Sequence, residues 1–436
     1  MRLWASLRSV CVAPCVVLAA CDSGPEVTPE STFAAESPES RNLVGRIFAG
    51  TEQVPGALVR VDVSPGFATD AELDALAARN SGLPRTDTTN GAGAYRFSFA
   101  PISHDLSIRA GRELLVVRAL AVRTYDVPLG VEAVPSGFAA SVVPTTNPPA
   151  KAGNTVAYFV SGQDARTLTG DSGTREVRFR RFESTVTLHA LEYVARLGPS
   201  AAVAHGQLDI LVRDGVTVTP TVPMELLPAT AKPVFDATPP PGYALEPLEV
   251  EMDFGLRTSA LPIVRVAAGV PLEMAVVIGA RYAVRGRART PEGAVSDSGR
   301  QLFNPFDPRT TLTLPPPISA EAPIDDDAIA TGKASNTLGP TTLDAGGVLA
   351  AKLGKGVVEH VLTPESGDGP VIRVVTSSRS TTLPDATVLG FSRPTGRHAW
   401  TFQHFPMLSH ADNLSGEDGR IGVPSWTSAP RVLVVR

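Results

Sequence analysis

The segment TGDSGT, Thr169–Thr174, places a serine between an aspartate and a glycine, as a nucleophile loop would. A serine nucleophile needs a histidine base within hydrogen-bond reach and an acid that orients that histidine. The only histidine before this segment is His104, and its surroundings, PISHDLS, do not match those of such a base. We therefore interpret Thr169–Thr174 as a polar hairpin turn.

Other catalytic patterns are missing from the sequence. It contains no Gly-x-Ser-x-Gly elbow and no His-Glu-x-x-His pair. The glycine-rich run NGAGAY, residues 90–95, lacks the spacing and the following helix of a phosphate-binding loop. We predict that the chain is not an enzyme and uses no cofactor, with an envelope hydrolase of unrecognised site as an alternative.

Two clusters have residue types that bind metals. His398, His404 and His410 recur every six residues, and even spacing puts the first two on one strand face, while Pro406 breaks the strand before the third. Zinc wants tighter geometry than this. The acidic run Asp325–Asp327 lacks the alternating spacing and the glycine of a calcium loop. We therefore predict ordinary histidines, a solvated acidic linker and no metal site.

The aromatic residues are densest near the C-terminus. Trp400, Phe402 and His404 alternate onto one face of a predicted strand, and Trp426 follows. Such a face binds sugars or partner chains when it is exposed, and fills a sandwich core when it is buried. We favour the core and keep Trp400, Phe402 and His404 as the candidate binding surface.

The start of the chain has the pattern of a secretory signal. Arg2 and Arg8 precede an apolar run from Val10 to Ala20, about half of the roughly 20 residues that cross a bilayer. The sequence Leu18-Ala19-Ala20-Cys21 resembles the lipobox of bacterial lipoproteins. That resemblance implies cleavage between Ala20 and Cys21 and acylation of Cys21, for example with palmitate. The alternative is an ordinary signal peptide that ends in cysteine by chance.

Cysteine usage and charge agree with export and exclude one class of partner. Cys11 and Cys15 would leave with the signal, so Cys21 alone would remain and could form no internal disulfide. Loss of Arg2 and Arg8 takes the formal charge from −5 to −7. No basic patch is present, so we predict no nucleic-acid partner.

The rest of the chain predicts an all-β protein of tandem antiparallel β-sandwich domains. After a signal at 1–20, residues 21–41 form a Ser/Pro/Glu-rich flexible tether. From residue 42, short alternating runs are separated by Gly, Pro, Asn and Asp, which is typical of sandwiches. One short inserted helix is predicted within 64–83, where Thr69 and Glu72 have the form of a capping box.

Residues 42–130 resemble the carboxypeptidase regulatory-like domain, a prealbumin-type β-sandwich. The resemblance lies in VGRI, VPGALVRV and TDTTNGAGAYRFSF, at 44–47, 54–61 and 86–99. Asn90-Gly91 predicts the positive φ angles of a tight hairpin. The inserted helix and Leu106, where an aromatic is common, depart from the pattern. The resemblance implies a non-catalytic module that serves as a spacer, a folding aid or a binding surface.

The remaining segments are less specific. Residues 131–315 predict a β-rich region of one or two sandwich domains, within which STVTLHALEYVARL, residues 184–197, has features of both a strand and a helix. Residues 316–340 predict a linker and residues 341–436 a C-terminal β-rich domain.

Together these features predict a lipid-anchored protein of a bacterial cell envelope that presents non-catalytic β-sandwich modules for binding or structural roles. Its predicted partners are the membrane, through the lipid, and envelope proteins or polysaccharide. Asp22, directly after Cys21, does not decide the location, so the outer membrane and the periplasmic face of the inner membrane are both alternatives. A carbohydrate-binding surface protein is an alternative.

Overall fold

The computed structural model describes residues 40–49, 52–64, 85–101, 103–129, 140–161, 165–167, 177–179, 184–213, 215–254, 261–318, 320–322, 341–343, 348–351, 355–415 and 422–435. Within these ranges the chain is almost entirely strand, with three 3-10 helices of three or four residues. The all-β prediction is confirmed, and the ambiguous segment forms a strand from Ser184 to Val194. The signal, Ala20, Cys21, most of the tether, the inserted helix, Thr169–Thr174 and Asp325–Asp327 lie outside the described residues.

The first region contains two sheets that share one apolar core. Strand β1 pairs with β2, β5 and β8, and the opposite sheet includes β3, β4, β6 and β7. Buried side chains from both sheets form one cluster, as in a β-sandwich. The strands are β1 Ser40–Ala49, β2 Glu52–Gln53, β3 Leu58–Val63, β4 Thr86–Thr88, β5 Ala94–Pro101, β6 His104–Ala110, β7 Glu113–Leu120 and β8 Val127–Leu129.

Gly45, in the VGRI segment, allows two strands of this sandwich to approach closely. A Cβ atom at Gly45 would lie 2.0 Å from the carbonyl oxygen of Tyr125. The same oxygen accepts a hydrogen bond of 2.6 Å from the Tyr95 hydroxyl. Burial raises the pKa of Tyr95 well above its usual value, so the hydroxyl stays a neutral donor.

The hairpin between β4 and β5 differs from the predicted two-residue turn. The positive φ angle falls at Gly93, at 65°, and the prediction for Asn90 and Gly91 is wrong. The physical reason is a longer turn, which is closed by backbone hydrogen bonds from Gly93 N–H to Asn90 O and from Asn90 N–H to Ala94 O, and to which the Asn90 side chain adds two more. Its Oδ1 atom accepts hydrogen bonds from the backbone N–H groups of Ala92 and Ala94 at 2.9 and 3.1 Å.

The middle of the chain begins with a sandwich around its own core. Strands β11, β14, β15 and β18 form one sheet, β12, β13, β9 and β16 form another, and β10 pairs with β17. The strands are β9 Ala140–Val142, β10 Thr145–Asn147, β11 Asn154–Ser161, β12 Ala165–Thr167, β13 Val177–Phe179, β14 Ser184–Val194, β15 Ala202–Val212, β16 Thr217–Val218, β17 Thr221–Pro223 and β18 Glu225–Leu226, with a 3-10 helix at Pro199–Ala201.

A second middle sandwich follows, and its core also includes Phe159 and Leu191 from strands of the first middle sandwich. Its main sheet has the order β23-β22-β25-β28, and the pairs β19-β24 and β20-β29 contribute to the same core. The strands are β19 Ala229–Ala231, β20 Val234–Ala237, β21 Ala244–Leu245, β22 Leu248–Asp253, β23 Leu261–Val266, β24 Met274–Val276, β25 Arg281–Arg285, β26 Arg287–Arg289, β27 Val295–Asp297, β28 Gln301–Phe303 and β29 Arg309–Leu312.

The last region adds long strands to a sheet that begins in the first region. Part of the predicted linker also forms a strand, because β30 pairs with β32. The elements are β30 Ala320–Ala322, β31 Thr341–Leu343, β32 Val348–Ala351, β33 Val357–Pro364, β34 Val371–Thr376, β35 Ser380–Thr382, β36 Gly396–Phe405, β37 Ser425–Thr427 and β38 Arg431–Val435, with 3-10 helices at Ala386–Leu389 and Ala411–Leu414.

The largest sheet among the described residues has thirteen strands. Its main path has the order β21-β26-β27-β37-β36-β33-β34-β7-β6-β3-β4, and β38 pairs with β36 and β31. Strands β34 and β7 pair in parallel, with Val371 opposite Glu113. The regions predicted as the first and last domains are therefore joined by a continuous hydrogen-bonded ladder.

Strand β7 shows that this sheet is covered on both faces. Leu115 and Val117 belong to the core of the first sandwich, whereas Leu114 and Val116 belong to a second core. That second core also contains side chains of β32, β33, β34 and β36. A strand buried on both faces reads as a near-continuous apolar run, which is the pattern of ELLVVRAL at residues 113–120.

Candidate functional site

The candidate binding surface of Trp400, Phe402 and His404 is not a surface in the structure. The three residues are only 1, 2 and 5% exposed. They lie on one face of β36, and β36 pairs with β33 on one side and with β37 and β38 on the other. Their burial agrees with the favoured interpretation, that these residues fill a core, and contradicts the alternative of an exposed binding platform.

His360 lies in the same core, opposite Phe402 on the neighbouring strand. Its ring is fully buried and stacks at 6.0 Å on the ring of Trp400. Neither ring nitrogen of His360 has a hydrogen-bond partner among the described residues. Burial lowers the pKa of His360 to about 4, although Glu359 raises it, so the imidazole is neutral at neutral pH.

The three regularly spaced histidines do not form a site. His398 and His404 lie on one face of β36, and that strand ends at Phe405, before Pro406 and His410. Six strand residues separate the first two rings by about 20 Å, and His410 is exposed. No group of three or more metal-binding side chains occurs in the described part of the chain.

His104, the histidine that precedes the segment Thr169–Thr174, lies beside a buried carboxylate that is held by other side chains. His104 is buried at the start of β6. The neighbouring Asp105 accepts hydrogen bonds from the Ser64 hydroxyl at 2.7 Å and from Arg118 Nη1 at 2.5 Å. Ser172 lies outside the described residues, so the turn interpretation stays a prediction.

A buried ion cluster that was not predicted lies where β7, β34 and β33 meet. Arg373 donates to Glu113 Oε1 at 2.5 Å and to Glu359 Oε1 at 2.6 Å. The three side chains are at most 10% exposed. Burial by itself would lower the pKa of Arg373. Glu359 and Glu113 raise it by a larger amount, so the pKa of Arg373 lies above its usual value. The sequence signal was a single charge within each apolar run, in VIRVV and VVEHV.

A stack of four rings joins the two middle sandwiches. The ring of Phe254, at the end of β22, lies 3.9 Å from His189, 5.2 Å from His205 and 5.6 Å from Phe159. Burial and the nearby His205 lower the pKa of His189 to about 3, while Asp209 raises it. Burial lowers the pKa of His205 to about 4. The stack therefore contains two neutral imidazoles at neutral pH.

The second middle sandwich carries a ladder of ion pairs along its outer face. Acidic residues alternate along β22, and arginines lie on β23 and β25, the two strands that pair antiparallel with it. Further arginines lie on β26, whose antiparallel neighbour β27 carries Asp297. The pairs are Arg265 with Glu249, Arg281 with Asp253, Arg300 with Glu251 and Asp253, Arg285 and Arg287 with Asp297, and Arg289 with Glu246.

A groove of 740 Å³ opens at the side of this sandwich, between β28 and β29. Phe303 reaches from the groove into the core, where its ring lies 4.8 Å from Phe235 and 5.9 Å from Tyr282. The lining residues are Ala280, Arg281, Tyr282, Gln301, Leu302, Phe303, Asn304, Pro305, Asp307, Arg309, Thr310 and Thr311. The groove is a concave surface that is lined by the backbone of β28 and β29 and by polar side chains.

Comparison with known proteins gives no family: no family and no curated protein matches the chain. Among solved structures, a streptococcal ancillary pilin is 10% identical, with 64% of this chain and 100% of the pilin covered and a TM-score of 0.15. The N-terminal four Ig domains of Dscam1 isoform 1.9 are 10% identical, with 92% and 100% covered and a TM-score of 0.16.

A third similar structure is SGBP-B of the Bacteroides ovatus mixed-linkage glucan utilization locus, in complex with a mixed-linkage heptasaccharide. It is 11% identical, with 65% of this chain and 60% of SGBP-B covered, and the TM-score is 0.12. At these TM-scores none of the three similarities carries an argument about function. No helix in the described residues is long and apolar enough to cross a membrane.

Proposed function

We propose that the chain is a lipid-anchored protein of a bacterial cell envelope that presents non-catalytic β-sandwich modules for binding or structural roles. The observation that carries the proposal is the thirteen-stranded sheet, because it unites strands from both ends of the described chain. A folded body of this kind at the end of the predicted tether, residues 21–41, would hold its outer faces clear of the membrane.

The way in which the described residues use their titratable side chains supports a non-catalytic role. Arg373, Glu113 and Glu359 hold three strands together. His360 and Trp400 fill a core. These groups lie within the layers of the protein, where a substrate has no access. Active sites instead place perturbed groups in a cleft.

Fatty-acid labelling tests the anchor. Cells that express the full chain are grown with an alkynyl palmitate, and the purified protein is assayed for the probe. We expect the wild type and Cys15→Ser to be labelled and Cys21→Ser to be unlabelled, because Cys15 would leave with the signal. Label retained on Cys21→Ser, or lost equally from Cys15→Ser, would contradict the proposed anchor.

Sedimentation tests the binding role. The full chain in detergent is mixed with insoluble peptidoglycan and with insoluble envelope polysaccharide, and the bound fraction is measured. A carbohydrate-binding role needs a surface other than Trp400, Phe402 and His404, since these are buried. We therefore expect Trp400→Phe to leave any binding unchanged. Release of soluble sugar during the assay would favour the hydrolase alternative.

A further inference from the structure

We propose that the groove between β28 and β29 binds an extended, acidic polypeptide segment, which adds to the second middle sandwich as an extra strand. This inference goes beyond the proposed function because it names the class of partner. It does not depend on the lipid anchor, so the labelling experiment and the one below can fail separately.

The first argument is the pair of strand edges beside the groove. In the part of the chain that the structure describes, strand β28 is the last strand of its sheet and pairs only with β25. Strand β29 pairs with β20 alone among the described residues. An edge strand presents a row of N–H and C=O groups on its open side, and an extended peptide can pair with that row.

The second argument is the chemistry of the groove floor. Phe303 and the buried Pro305 supply apolar surface between the two edges. Leu302, on β28, is 56% exposed and adds an apolar side chain on the outer face. Alternate side chains of an added strand point to opposite faces, so one set would contact Phe303 and the other would contact Leu302.

The third argument is charge. The side chains of Arg281 and Arg309 also line the groove and are 50 and 65% exposed. Their partners, Asp253 and Asp236, are only 2 and 32% exposed, so a bound chain meets the guanidinium groups first. Asp307 is the acidic residue of the lining. Because two exposed arginines and one aspartate line the groove, an acidic segment is favoured. Added salt should weaken its binding.

The same contacts favour a peptide over a saccharide. Saccharide recognition would depend on side-chain amides and carboxylates, but Asn304 and Asp307 are hydrogen-bonded to each other at 3.3 Å. Asn304 Oδ1 also accepts the backbone N–H of Phe306 at 3.2 Å. By contrast, each of the strands β28 and β29 pairs with a neighbour on one side only among the described residues. Prolines 305 and 308 border both edges, which limits pairing to a short segment.

The experiment uses a fluorescein-labelled octapeptide of alternating glutamate and valine, with both ends capped. Its anisotropy is measured against the full chain in detergent. We expect saturable binding that weakens about tenfold or more in Arg309→Glu, and more than that in Arg281→Glu with Arg309→Glu. The matched control is Arg265→Glu, an exposed, ion-paired arginine on β23 at the opposite edge of the same sheet, which should stay within about twofold of wild type.

Two further peptides and one sugar decide the mode of binding. A peptide with proline at each valine position keeps the negative charge but loses every second backbone N–H donor. A peptide with lysine at each glutamate position has the wrong charge, and both should bind at least about tenfold more weakly. Amide exchange at residues 301–303 and 309–312 should slow when the glutamate peptide binds. Absence of saturable binding at about 1 mM peptide, equal binding of the proline peptide, or displacement by a neutral glucan oligosaccharide would overturn the proposal.

Discussion

The junction between β7 and β34 is charged, whereas the junction between the two middle sandwiches is aromatic. At the first, Arg373 binds Glu113 and Glu359 in a site closed to solvent. At the second, Phe254 stacks on His189 and its neighbours, and the imidazoles there are neutral at neutral pH. Both junctions bury titratable groups, but only the first holds them in ion pairs.

This difference has an energetic consequence. A buried ion cluster is stable while every member is present, because the hydrogen bonds offset the cost of desolvation. A neutral imidazole needs no counter-charge, but it must give up its proton on folding in mild acid. The charged junction is therefore sensitive to loss of a partner, and the aromatic junction is sensitive to pH.

The largest expected effect comes from breaking the charged junction. Arg373→Met leaves Glu113 and Glu359 buried without their shared cation, and we expect the free energy of unfolding to fall by about 4 kcal/mol. Denaturant unfolding at neutral pH measures the change. The control, Arg397→Met, removes an exposed ion pair with Glu365 and should cost less than about 1 kcal/mol. Equal losses in the two variants would contradict a special role for the cluster.

The second effect is the pH dependence of the aromatic junction. The folded-state pKa values of His189 and His205, about 3 and 4, lie below the usual 6.5. The unfolded chain therefore binds protons first as the pH falls. Between about pH 7.5 and about pH 5, each histidine should remove about 2 kcal/mol of stability.

Unfolding of the double variant His189→Phe, His205→Phe checks this pH dependence. The variant should lose less stability than the wild type over the same pH interval, because His360 contributes equally to both proteins. His410→Phe, at an exposed position, is the control and should follow the wild type. A double variant with the same pH dependence as the wild type would show that the protons bind elsewhere.

The smallest effect tests the stacking itself. Phe254→Leu keeps an apolar side chain at the junction but removes the flat ring that contacts His189 and His205. We expect a loss of about 1 kcal/mol, measured by denaturant unfolding. Phe306→Leu, at a ring that is 62% exposed, should be nearly neutral. A loss from Phe254→Leu that is no larger than the loss from Phe306→Leu would contradict a stabilising role for the stack.

The sequence predicted the class of fold because local patterns carry that information. Alternation and turn residues predicted strands, and the near-continuous apolar run of 113–120 is typical of a strand covered on both faces. The same run says nothing about its neighbour, which lies at Val371–Thr376. Pairing between residues so far apart is decided by tertiary packing, and no local propensity reports it.

The candidate site was predicted less well, for a related reason. Alternation correctly placed Trp400 and Phe402 on one face, but could not tell whether a further layer covers that face. The groove was missed because its lining comes from residues 280–282 and 301–311, each an ordinary polar and apolar mixture. The turn at Asn90 was misjudged because it is longer than two residues, and the Asn90 side chain supports the longer form with two hydrogen bonds to the backbone.

The parallel pairing of β7 with β34 also constrains how the chain folds during synthesis. Glu113 and Arg373 are 260 residues apart, so β7 leaves the ribosome long before its neighbour exists. Until then, one edge and one apolar face of β7 lack their final cover, a state that invites aggregation or binding by chaperones. Contacts of such long range also slow folding. A product that stops before residue 371 would lack β34, the parallel neighbour of β7, and would carry an incomplete sheet.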